Sequence, residues 1–179
     1  WRYWCWAMAF AIDVSTAIIA SRHDVVTPPH ASHLPERFGL FTLILLGEAV
    51  VAIMSGIQHQ PDWSVEAAST ALSGIVVISA VWWGYFDGVD AAGHRPVRCV
   101  ADSHRLWGWS AAHVLLYLGV ALFGIAAEHA IRDGGWQSMH GQAATLSVGS
   151  VMLVATAFVL LRAVTPQPLN STPGTLAHQ

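Results

Sequence analysis

The sequence predicts an all-α, polytopic transmembrane helix bundle with about five spans. Two observations carry that prediction. Apolar residues make up 54% of the 179 and charged residues only 11%, against roughly 25% charged in an ordinary soluble domain. So few charges cannot supply the polar coat that a soluble fold of this length needs, and the mean hydropathy of +0.49 agrees. The apolar residues also gather into five runs, each close to the roughly 20 residues that a helix needs to cross hydrocarbon. The runs do not alternate in polarity as barrel strands would, and helix is the conformation that satisfies their backbone groups in lipid.

The first run covers residues 3–20. It follows Trp1-Arg2, without an initiator Met, a charged leader or a cleavage pattern, so the chain reads as a piece of a longer protein. The second run covers 38–57, after the breaker Thr27-Pro28-Pro29-His30. The third, 65–86, follows Gln60-Pro61-Asp62. The fourth, 106–127, follows a loop that includes Asp90, Gly93, His94, Arg95 and Pro96. The fifth, 142–161, follows Arg132-Asp133-Gly134-Gly135. Residues 1–162 thus form one bundle. Residues 163–179, with Pro166, Pro168, Pro173 and Gly174, read as a disordered tail.

Tryptophan supports these boundaries, because indole rings favour the headgroup layer. Trp1, Trp4, Trp63, Trp82, Trp83, Trp107, Trp109 and Trp136 fall near run ends, and Trp6 sits slightly deeper. Arginine sets the orientation. Arg22, Arg37, Arg95, Arg98, Arg105 and Arg162 share one side of the predicted bundle, and only Arg2 and Arg132 lie on the other. The positive-inside rule puts the richer side, and the C-terminus of this chain, in the cytoplasm. The basic residues are all Arg, the net charge of -3 is small, and nothing here attracts nucleic acid. Cys5 and Cys99 make no spacing motif and no disulfide framework.

The informative residues are those that lipid penalises. Asp13 falls near the middle of the first run, Glu48 near the middle of the second, and His113 about two turns into the fourth. An acid at a helix centre costs roughly 2.5–3.5 kcal/mol on insertion scales. Such residues are expected to face a neighbouring helix or a wet cavity. They serve either an ion, proton or solute pathway, or a structural hydrogen bond between helices. Arg37 and Glu48 are eleven residues apart. At about 100° per residue they share a helix face, and at about 1.5 Å per residue they lie roughly 16 Å apart along it. Arg37 and Glu36 then sit at the cytoplasmic mouth with His104 and Arg105 of the next cytoplasmic loop. The Arg37 guanidinium has a plainer use as well, snorkelling to phosphates. Gly47 lets another helix approach Glu48 closely. Trp109, His113 and Tyr117 recur at four-residue spacing on one face. Glu128 and His129, at the outer end of that run, are expected to be solvated. Ser69, Thr70, Ser73 and Gly74, and likewise Thr145, Gly149 and Ser150, read as small packing residues.

Ten histidines raise the question of metal. His30, His33 and Glu36 are spaced by three, but Pro28, Pro29 and Pro35 argue against a regular helix there. No metal site and no cofactor is expected. There is no phosphate loop, no nucleophile elbow and no paired acid–base motif, so no catalytic residue is assigned and the chain is not expected to be an enzyme.

The segment His33-Leu34-Pro35-Glu36-Arg37-Phe38-Gly39-Leu40-Phe41-Thr42, continued by Leu46-Gly47-Glu48-Ala49-Val50, resembles the hallmark segment of the bacterial low temperature requirement A (LtrA) family. A second segment is similar too: His104-Arg105-Leu106-Trp107, His113, Leu118-Gly119 and Glu128-His129-Ala130-Ile131. The resemblance covers most of residues 1–162. It implies a longer multipass protein of the bacterial inner membrane, linked to growth in the cold, with further helices of the same protein as partners beside the lipid bilayer. It implies motif positions at Glu36, Arg37, Gly47, Glu48, His104, Arg105 and His113 without giving them roles. Two functions lead: a transporter or channel-like protein for an ion, proton or small polar solute, and a non-catalytic scaffold or sensor of the bilayer. An intramembrane or lipid-modifying enzyme using His and Glu as acid and base ranks below both, since no paired motif of the needed spacing occurs.

Overall fold

A computed structural model describes residues 1, 4–5, 7–9, 11–12, 15–16, 33–60, 64–88, 100–139 and 141–164. Its long elements are four α-helices: α1 (His33–Gln58), α2 (Val65–Gly88), α3 (Val100–Arg132) and α4 (Gln142–Val164), with a 3-10 turn at Trp136–Ser138 before α4. No strand occurs among the described residues. All four helices are long and apolar enough to cross a membrane. The described residues of the first run, from Trp4 to Thr16, are helical as well. The rest of that run, including Asp13, lies outside the described residues, as does the tail beyond Val164.

Local chemistry sets the helix ends. Glu36 places an acid in the first turn of α1, where the partial positive charge of a helix N-terminus favours it. The Ser64 hydroxyl accepts the Ala67 N–H at 3.0 Å and caps α2. His104 and Arg105, expected in a loop, are helical residues of α3. No Gly or Pro interrupts residues 100–105, so the helix runs on past its apolar stretch. Its other end is a Schellman motif. Gly134 takes φ +86°, its N–H reaches the Ile131 carbonyl, and the Gly135 N–H reaches the Ala130 carbonyl at 2.7 Å.

The centre of the bundle is α3, which packs against α1, α2 and α4. Glycines bring the backbones together. A Cβ on Gly124 would lie 3.0 Å from the Ala49 Cα of α1, and one on Gly119 would lie 2.8 Å from a Val154 methyl of α4. A Cβ on Gly74 of α2 would meet Ile53 of α1 at 2.9 Å. Such contacts matter in lipid, where helix association rests on close van der Waals packing and not on hydrophobic burial. Leu46, Ile53, Ile78, Leu116 and Leu161 fill the space between helices. Large apolar side chains cover the outside instead, among them Ile44, Val51, Leu72, Trp83, Met152 and Val159. These surfaces match hydrocarbon.

Candidate functional site

The polar centre of the bundle is His113, which is fully buried. Its Nδ1 lies 2.8 Å from the Trp109 carbonyl one turn earlier. A carbonyl only accepts, so Nδ1 carries the hydrogen and Nε2 presents its lone pair. The Tyr85 hydroxyl of α2 donates to that lone pair at 3.0 Å, and Tyr85 is itself 2% exposed. Phe38, Trp109, Tyr85 and Tyr117 surround the imidazole, with ring centroids 4.0–5.8 Å away. Tyr117 donates to the Phe38 carbonyl of α1 at 2.9 Å. The buried Thr42 hydroxyl donates to the same carbonyl at 2.8 Å. The spacing of Trp109, His113 and Tyr117 does bring them together on the inner face of α3. Tyr85 and Thr42 are the partners that sequence reasoning missed.

This network ties α1, α2 and α3 together with both imidazole nitrogens bonded. A cavity of about 160 Å³ lies in the bundle, lined by residues that include Leu46, Val77, Val81, Val120, Phe123 and Val154. Every residue lining it is apolar.

Glu48 lies elsewhere. The expectation that neighbouring helices enclose it is not met among the described residues: Glu48 is exposed, and so are Arg37, Phe41 and Ile44 on the same face. The reason is the register of α1, which turns Thr42, Leu46, Ala49 and Ile53 inward. Gly47 beside it is open, with nothing within 4 Å of an added Cβ. Glu36 is exposed at the start of α1. The side chains of His104, Arg105 and His33 are outside the described set, as are His23, His30 and His94. Among the described residues no three His, Cys, Asp or Glu side chains are grouped to hold a metal.

A second polar cluster joins α1 to the far end of α3. Arg132 pairs with Glu128 at 2.6 Å, Ser55 donates to the same Glu128 oxygen at 3.2 Å, and the Gln60 amide donates to the Ile131 carbonyl. Glu128 is therefore more than a solvated end group: it links two helices, because Gly56 lets α1 come within 3.1–3.2 Å of the Glu128 backbone at an added Cβ. His129 is exposed, as expected. Trp136, expected in the headgroup layer, is half-buried and donates its indole N–H to Ser73 of α2 at 2.8 Å.

Four bilayer-length helices around buried, mutually bonded polar groups define a polytopic α-helical membrane protein. More particularly, the chain belongs to the bacterial low temperature requirement A protein (LtrA) family, whose sequence model matches residues 1–177. It is thus a bacterial membrane protein. No curated protein and no solved structure matches it.

Proposed function

We propose that the chain forms part of a membrane protein that binds or moves an ion, a proton or a small polar solute along the Glu48 face of α1. One observation supports this reading: a carboxylate near the middle of a bilayer-length helix, exposed on the bundle. Hydrocarbon penalises such a group so heavily that its face meets protein or water in the working molecule. Arg37 lies on the same face at the mouth, which the arginine distribution assigns to the cytoplasm, along with the C-terminus of this chain. Binding and passage need no bond to be made, so the proposal includes no catalytic step. Proteoliposomes holding the intact protein test it, with fluxes of protons, sodium and potassium measured in turn. Glu48→Gln abolishes the flux that the unaltered protein supports; an undiminished flux refutes the role of Glu48.

A second reading, a scaffold or sensor supporting growth in the cold, draws on the His113–Tyr85 network, which is buried and bonded within the bundle. There Glu48→Gln is silent in a cold-growth assay, while substitutions that part the helices are not.

A further inference from the structure

The exposed members of the cavity lining are Val77 of α2 and Val151 and Ala155 of α4, so the cavity opens between these two helices. Side-chain size explains the gap. α2 and α4 each pack on α3 but scarcely meet one another. Two aromatic contacts set their spacing. At one end the Trp136 indole donates to Ser73 of α2. At the other the Phe158 ring of α4 comes within 3.4 Å of a Cβ added at Gly84 of α2. Ser73 and Gly84 are eleven residues apart, so they share a face of α2 and stand roughly 16 Å apart along it. Val77 and Val81 lie between them on that face, at four-residue steps. The α4 side offers only valines and Ala155, too short to fill a space that Trp136 and Phe158 hold open. The buried Val120 and Phe123 of α3 form its floor.

The mouth lies at the depth of the hydrocarbon. Val77 is near the middle of its span, and Val151 and Ala155 flank the middle of theirs. Exposed apolar residues of the outer surface stand beside it, Val76 and Trp83 on α2 and Met152 and Val159 on α4. The cavity is thus continuous with the surface that lipid covers. Its lining side chains carry no hydrogen-bonding group, and a bound water or polar solute needs several. A cavity of about 150 Å³ lined by Leu, Ile and Phe accepts benzene or xenon, so this one has room for about six carbons of a chain. Wall atoms that face a void lose their dispersion contacts, and in lipid those contacts hold helices together. Acyl chains end near the bilayer centre, so a chain terminus is the group at hand to restore them. We infer that the cavity is a binding site for the end of a membrane lipid's acyl chain, entered sideways between α2 and α4 and seated on Val120 and Phe123. The site is separate from Glu48, which lies on the outer face of α1.

Photolabelling the intact protein in vesicles of phosphatidylethanolamine and phosphatidylglycerol tests it. A fraction of the lipid carries a diazirine near its acyl methyl end, and adducts are mapped to residues by mass spectrometry. Leu116 is fully buried outside the lining. Close packing excludes a chain there, so adducts on Val120 and Phe123 are expected to exceed those on Leu116 about tenfold. Ala155→Phe and, separately, Val151→Phe place a ring at the mouth. Either is expected to cut the Phe123 adducts about fivefold and to leave those on exposed Val159 unchanged. Phe123 adducts no more frequent than Leu116 adducts overturn the inference. Labelling of Val159 with none at Val77 or Val151 overturns it in favour of another helix over the mouth. Labelling of Phe123 by a small aryl diazirine and not by the lipid overturns it in favour of a free apolar solute. Phe123 adducts that persist through both substitutions overturn the entry between α2 and α4. Glu48→Gln leaves the labelling unchanged, so failure of the flux reading and failure of this site are distinguishable.

Discussion

Removing one oxygen from Tyr85 tests the polar centre most directly. Tyr85→Phe keeps the ring and deletes the hydroxyl that donates to His113 Nε2 at 3.0 Å. His113 is fully buried and ringed by aromatic groups, and the nearby Tyr117 hydroxyl already donates to the Phe38 carbonyl. A buried acceptor that loses its donor costs about 1–3 kcal/mol in proteins generally. Hydrogen bonds between membrane helices average about 0.6 kcal/mol and reach about 1.7, because chains unfolded in the membrane also find partners. The enclosure of His113 puts this pair near the upper end, so Tyr85→Phe is expected to destabilise the bundle by about 1.5 kcal/mol. Part of any measured loss belongs to the general change of environment, and a double-mutant cycle with His113→Leu separates the two. The assay is reversible unfolding by SDS in mixed micelles, and the expected coupling energy is about 1 kcal/mol. Coupling below about 0.3 kcal/mol, the scatter seen for independent sites, would show that the two side chains do not support each other and refute the reasoning.

The same unfolding assay checks two further predictions. Gly119→Leu drives a side chain into Val154 of α4, whose methyl and backbone N lie 2.8 and 3.0 Å from the added Cβ; it is expected to cost about 1–3 kcal/mol, while Gly149→Leu, with open space at its Cβ, stays within about 0.5 kcal/mol. Trp136→Phe removes the indole donor to Ser73 and is expected to cost about 1 kcal/mol, a loss that Ser73→Ala in the same chain does not add to.

The helices were legible because lipid leaves so few alternatives. A run of some twenty apolar residues between Gly and Pro punctuation has one way to satisfy its backbone. The inner and outer faces were harder to read. In a soluble helix the apolar stripe marks the buried side, but here both sides are apolar. The inward stripe of α2, Ala71, Gly74, Ile78, Val81 and Tyr85, differs from its outward side, with Leu72, Val76, Trp82 and Trp83, mainly in carrying smaller residues above Tyr85, while hydroxyls occur on both sides. That stripe was the available signal for Tyr85 as a partner of His113. Gly119 and Gly149 look alike in sequence. Only the crossing of α3 and α4 makes the first indispensable and leaves the second open. Glu128 was misread for a related reason, since its partner Ser55 is 73 residues away and no local pattern announces a contact between helix ends.

His113 and Glu48 invert the usual relation between burial and function. In water an exposed glutamate is ordinary and a buried histidine attracts notice. In a bilayer the exposed carboxylate is the costly group, while the histidine has the Tyr85 hydroxyl and the Trp109 carbonyl at hydrogen-bonding distance. A side chain bonded at both nitrogens holds helices in place and has no bonding capacity left for a passing solute. Glu48 has an open glycine beside it and Arg37 on its face, so the proposed binding or passage belongs to the outside of the four described helices. The proposed function therefore sets ion or solute chemistry on the outer face of α1, with the packed interior as its support.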